Sequence, residues 1–222
     1  MEREVSVWDP VVRVGHWVIV AGFAVAYLTG DDLLSLHAWA GYVVGAVVAF
    51  RIFWGFVGPR QACFSDFLYP PRRVFAYLAD LVRFRAQRYL GHSPAGGAMV
   101  LALLFMLTAT VATGLMTYAA DQHAGPLAPL YAIQDPANAA ATENGTTGAT
   151  DKERGRNGKE SAIRETHELL ANLTLALVVL HVAGVALASI VHRENLVATM
   201  ITGRKRRDSF HAQLHNRSVV GR

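Results

Sequence analysis

Four apolar runs limit what this chain can fold into. Val11 to Thr29, Leu36 to Val57, Ala95 to Tyr118 and Leu169 to Val191 are 19, 22, 24 and 23 residues long. Each is long enough to cross a bilayer as a helix. Lipid offers no partner to a free N–H or C=O, so a spanning run satisfies its backbone internally, as a helix. The expected class is therefore all-α, an integral membrane four-helix bundle. A hydrophobic share of 52% over 222 residues agrees with this. Trp8, Trp17, Trp39 and Trp54 stand near span ends, where interfacial aromatics collect.

Charge gives an orientation. Sixteen of the 21 Lys and Arg precede span one, separate spans two and three, or follow span four, with Arg13 and Arg51 counted among them. The other five lie between Lys152 and Arg164. Excess Lys and Arg mark the cytoplasmic side, so both termini are expected there. The run Arg204-Lys205-Arg206-Arg207 then reads as an anchor beside anionic lipid rather than a nucleic-acid site. Glu2 and Glu4, a first run of full span length and no small-residue cleavage pattern argue against a secretory signal peptide. Span one is expected to remain in place. Cys63 is the single cysteine, so the chain forms no intramolecular disulfide, and C-x-x-C-H, the c-type haem motif, is absent.

Between the spans, Asp31 and Asp32 mark a short turn that makes spans one and two antiparallel neighbours. Arg72 to Leu90 alternates Val74, Leu78, Leu81 and Val82 with Arg73, Arg83, Arg85 and Arg88. That pattern predicts an amphipathic helix on the membrane surface. Ser93-Pro94 predicts an N-cap and a first-turn proline for span three. Residues 119–166 are rich in small polar residues and are expected to be a mobile outer loop, either a tolerated insertion or a docking surface. Residues 1–203 form the four-span domain, and 204–222 a basic cytoplasmic tail.

Nine histidines remain to be sorted. His123, His211 and His215 fall in polar segments, and His192 adjoins Arg193 at a span end, where it is expected to snorkel. His16, His37, His167 and His181 belong to the spans. Ionisable groups in membrane helices are costly and mark function. His167 and His181 are fourteen residues apart, nearly four helical turns, so they share one face about 21 Å apart along the axis. Topology places His16 level with His181 and His37 level with His167. Two neutral imidazoles facing across a bundle can hold one haem iron axially. Cross-helix hydrogen bonding would account for any one of these histidines, but two level pairs favour two haems. No nearby cysteine or carboxylate set would complete a tetrahedral zinc site.

Neighbouring residues keep two readings each. Arg13 and Arg51 match the carboxylate geometry of haem propionates, or anchor their helix ends in the headgroups. His92 contacts a propionate or a quinone head group, or caps span three. Glu165 and Glu168 orient His167, or supply favourable charge at the helix start. Gly15, Gly22, Gly41, Gly45 and Gly114 let helices approach closely, or leave room for a flat ligand.

The stretches H-E-L-L-A-N-L followed by His181, and R-V-G-H-W at 13–17, resemble the bacterial cytochrome b-561 family. R-I-F-W-G-F-V-G-P-R-Q-A-C-F-S-D-F at 51–67 and L-G-H-S-P-A-G-G at 90–97 resemble its relatives, the cytochrome b subunits of nickel–iron hydrogenases. The resemblance spans nearly the whole chain. It implies a four-helix core with two haems b, one near each face, held by His16, His37, His167 and His181. It also implies a multi-pass protein of the bacterial inner membrane that exchanges electrons between quinone and a periplasmic partner, a cytochrome c or an oxidoreductase catalytic subunit. Cys63 stands where many relatives carry Arg. Two other functions fit the residues: a superoxide oxidase that passes electrons to quinone, and a haem-free scaffold or transporter.

Overall fold

The computed structural model describes residues 4–6, 9–30, 32–59, 62–66, 68–87, 89, 92–129 and 150–206. Trp8, Asp31, Arg88, Leu90, most of the polar stretch after Pro129, and the tail with His211 and His215 lie outside the described residues. The order is β1 (Glu4–Ser6), α1 (Pro10–Thr29), α2 (Leu34–Val57), a 3₁₀ turn at Phe64–Asp66, α3 (Pro71–Val82), α4 (Pro94–Gln122), α5 (Thr150–His192), α6 (Leu196–Thr202) and β2 (Arg204–Arg206). Helices α1, α2, α4 and the Ser161–His192 part of α5 are long and apolar enough to cross a membrane. The expected all-α membrane class and all four spans are present.

The helix starts follow side-chain chemistry. Asp9 Oδ1 accepts from the N–H groups of Val11 (2.7 Å) and Val12 (3.1 Å), with Pro10 at the first helical position. Ser93 Oγ accepts from Gly96 N at 3.1 Å ahead of Pro94, the cap expected of Ser93-Pro94. Asn195 caps α6 in the same way through Ala198 N, at 2.9 Å.

Three features depart from the sequence-based expectation. First, α5 starts at Thr150, nineteen residues before Leu169, so the later part of the 119–166 segment is helix rather than loop. A formed membrane helix extends without a new nucleation cost, and the Lys, Glu, Arg and Ala of 152–164 are good helix formers. Second, α3 ends at Val82, short of Leu90; Arg83 caps it, and Phe84 turns into the left-handed region at φ 57°. Tyr77 and Leu81 are buried, while Phe75, Leu78 and Val82 form an exposed apolar stripe at i, i+3, i+7. The surface-lying helix is real but only three turns long. Third, β1 pairs antiparallel with β2, with Glu4 opposite Arg206 and Ser6 opposite Arg204. The start of the basic tail is thus tied to the N-terminal segment.

The chain divides into two compact units. One comprises the chain up to Ala21, Ala46–Leu104, and the chain from Leu177 onward; the other comprises Gly22–Gly45 and Phe105–Ala176. In the first unit, burial pushes the Tyr77 hydroxyl above the ordinary tyrosine range, against a hydrogen bond from Ser93. The Tyr77 hydroxyl lies 3.3 Å from His192 Nε2, so α3 is fastened to the end of α5. His192 is therefore tied to α3 instead of snorkelling. In the second unit, small residues bring the helices together: a methyl at Gly22 would lie 2.7 Å from Val44, and one at Gly45 would lie 2.9 Å from Val111. Fully buried Thr174 pairs with Thr110, hydroxyl to hydroxyl, at 3.0 Å. Thr174→Val removes this interhelical bond and is expected to cost about 1 kcal/mol. In detergent, thermal unfolding should fall by about 2–4 °C; an unchanged Tm would show that the pair contributes nothing.

Candidate functional site: two histidine pairs

In the first unit, His16 of α1 and His181 of α5 face each other with ring centres 6.5 Å apart and planes inclined at 60°. In the second, His37 of α2 and His167 of α5 stand 6.0 Å apart at 89°. These are the two level pairs expected from topology. Two imidazoles on opposite sides of one metal, each bonded at about 2 Å, would have ring centres roughly 6 Å apart. Both pairs therefore fit an axial bis-imidazole site. Among the described residues, no group of three or more His, Cys, Asp or Glu is placed to hold a metal ion.

The pair in the second unit is oriented by main-chain oxygens. His37 Nδ1 lies 2.8 Å from the carbonyl of Ala26. That carbonyl is in the last turn of α1, where helical acceptors lose their own partners. His167 Nδ1 lies 3.0 Å from the carbonyl of Thr110 and 3.2 Å from Thr113 Oγ1. A carbonyl oxygen only accepts, so each Nδ1 carries the proton and donates it. Each Nε2 then keeps its lone pair for a metal. Gly114 makes the approach of His167 possible, because a Cβ there would lie 2.9 Å from His167 Cε1.

Two glycines near the pairs border open space. Gly41 is one turn beyond His37, and Gly184 is one turn beyond His181. A methyl at either would meet nothing within 4 Å. The two roles considered for the glycines therefore divide by position. Gly22 and Gly45 serve helix packing, Gly114 serves the ring of His167, and Gly41 borders open space.

The first unit also holds two arginines with a buried nitrogen that has no hydrogen-bond partner among the described residues. Arg13 donates through Nη2 to the carbonyl of Ile201, yet its Nε is buried with no partner among the described residues. Arg51 lies over the ring of Phe64, 5.2 Å from its centre, and its Nη1 is likewise buried and unpartnered. A buried polar nitrogen without a partner is costly, and carboxylates such as propionates would satisfy both arginines. An anionic lipid headgroup at the helix ends would satisfy the same nitrogens, so both readings of these arginines account for them. His16 Nδ1 is a third buried atom of this unit with no partner among the described residues. His92 is half-buried, and its carbonyl accepts from the Tyr69 hydroxyl at 3.4 Å. Glu165 accepts from Ser161 Oγ at 3.2 Å and is exposed, as is Glu168. Cys63 is half-buried and donates its thiol to the carbonyl of Gly58 at 3.1 Å.

Sequence reasoning did not single out Ala26, Thr110 or Thr113. Ala26 and Thr110 act through main-chain oxygens, which residue identity does not reveal. Thr113 does carry a signal, one helical position from Gly114.

The sequence profile of the family described as prokaryotic cytochrome b561 matches residues 7–203. The chain is also similar to a protein of Azotobacter chroococcum mcd 1 described as a probable Ni/Fe-hydrogenase B-type cytochrome subunit. The two are 25% identical over 241 aligned residues, covering 91% of this chain and 88% of that protein. No solved structure matches the chain significantly.

Proposed function

This chain belongs to the prokaryotic cytochrome b561 family, and we propose that it relays electrons through two haems b between the quinone pool and an oxidoreductase partner. The carrying observation is the two histidine pairs, with ring centres 6.5 and 6.0 Å apart. A haem bound in each pair would supply one-electron iron chemistry. His16 and His181 would hold one haem, and His37 and His167 the other. Arg13 and Arg51 would bind propionates in the first unit. The apolar faces of α1, α2, α4 and α5 keep water from the pairs.

The Azotobacter relative, a probable hydrogenase subunit, suggests a catalytic oxidoreductase subunit as the partner, and a periplasmic cytochrome c would serve equally. A quinone would take up two electrons and two protons, and we place its site near the His16–His181 haem, with His92 as a candidate contact. The charge distribution supports a bacterial inner membrane protein with both termini in the cytoplasm.

The test is a dithionite-reduced minus oxidised spectrum of the purified protein, with a pyridine haemochrome assay. The expected result is two b-type haems per chain. A single haem would overturn one of the pairs. A colourless protein from haem-replete cells would end the cytochrome reading and favour a scaffold. Consumption of superoxide with added quinone and no partner protein would instead make the chain an enzyme in its own right.

A further inference from the structure

Resting on the two-haem reading, we propose that the two sites are set at different reduction potentials by unequal hydrogen bonding to their axial imidazoles. The His37–His167 site is the lower, and Thr113 is the residue that positions and tunes it. The contrast is in the contacts of Nδ1. His37 donates to the Ala26 carbonyl at 2.8 Å. His167 donates into a fork made by the Thr110 carbonyl at 3.0 Å and Thr113 Oγ1 at 3.2 Å. Thr113 is oriented to accept. Its own hydroxyl lies 2.9 Å from the carbonyl of Ala109 and 3.0 Å from that of Thr110, so its hydrogen is engaged there and its lone pair is left for His167. By contrast, His16 Nδ1 is buried with no partner among the described residues.

An acceptor on Nδ1–H draws the proton away from the ring and makes the imidazole a stronger donor to iron. A stronger donor favours the oxidised, more positive form and lowers the potential, since second-shell hydrogen bonding is one of the protein's levers on haem. Both imidazoles of the second unit have such acceptors. In the first unit His16 lacks one, and the guanidinium groups of Arg13 and Arg51 add positive charge that favours the electron-loaded form. Both effects have the same sign.

The experiment is a redox titration of the purified protein, followed optically. The wild type should resolve two midpoints. His181→Ala, which leaves the His37–His167 centre, should retain the lower one. Thr113→Val, with both haems bound, should raise the lower midpoint and leave the higher one in place. Thr113→Ser keeps the hydroxyl and should restore the wild-type value, which a purely steric role would not predict. The inference is overturned if the centre left in His181→Ala titrates at the higher midpoint. It is equally overturned if Thr113→Val binds two haems and moves neither midpoint. A wild-type protein without haem would instead refute the cytochrome reading itself.

Discussion

Haem content is expected to fall from two per chain to one in His181→Ala, with the remaining centre spectrally intact. On the proposed reading His181 would be half of the donor set in the first unit; its ring centre lies 6.5 Å from that of His16. Removing an outer-shell partner of a metal ligand typically costs about 10–100-fold in affinity, and removing the ligand itself should cost more. Alanine also leaves a cavity among apolar neighbours. The imidazoles of the second unit are oriented by Ala26, Thr110 and Thr113, all of that unit. Pyridine haemochrome and the reduced-minus-oxidised spectrum read the result directly. Equal loss of both centres would show that the pairs are assigned wrongly.

Gly114→Val should produce the reverse phenotype, loss of the His37–His167 haem with the other retained. The first carbon of any side chain at 114 would lie 2.9 Å from His167 Cε1 and 3.3 Å from its Nδ1. That is closer than van der Waals contact allows, and the ring is held in place by the bond from Nδ1 to the Thr110 carbonyl at 3.0 Å. The two further methyls of valine would force the imidazole off its axis and break the fork at Nδ1. Gly114→Ala should be milder, since a shift of a few tenths of an ångström relieves it; both haems should bind, with the lower-potential centre perturbed. The check is haem per chain for the valine variant. Two intact haems would mean that His167 can take another rotamer and still ligate, and that the glycine is dispensable.

The four spans and the candidate ligands were legible in the sequence. Lipid forces a long apolar run into a helix, so length alone fixed the elements. Within a helix the 3.6-residue turn fixes direction, so the fourteen residues between His167 and His181 were enough to put both on one face. The span order then paired His16 with His181 and His37 with His167, and the rings do meet in those pairs. The cap at Ser93 was equally readable, because a short polar side chain ahead of a proline acts on its own local backbone.

What the sequence left open depends on atoms brought together from distant positions. The acceptors for His37 and His167 are carbonyl oxygens eleven and fifty-seven residues away. Every residue has a carbonyl, so no pattern of side chains announces which one is used. Likewise, the β1–β2 pairing and the Tyr77–His192 contact each need a neighbour that only folding supplies. Sequence determined which residues can face a metal in this membrane protein. Tertiary structure decided which ring nitrogen stays free in His37 and His167, because hydrogen bonding to the other nitrogen fixes the tautomer.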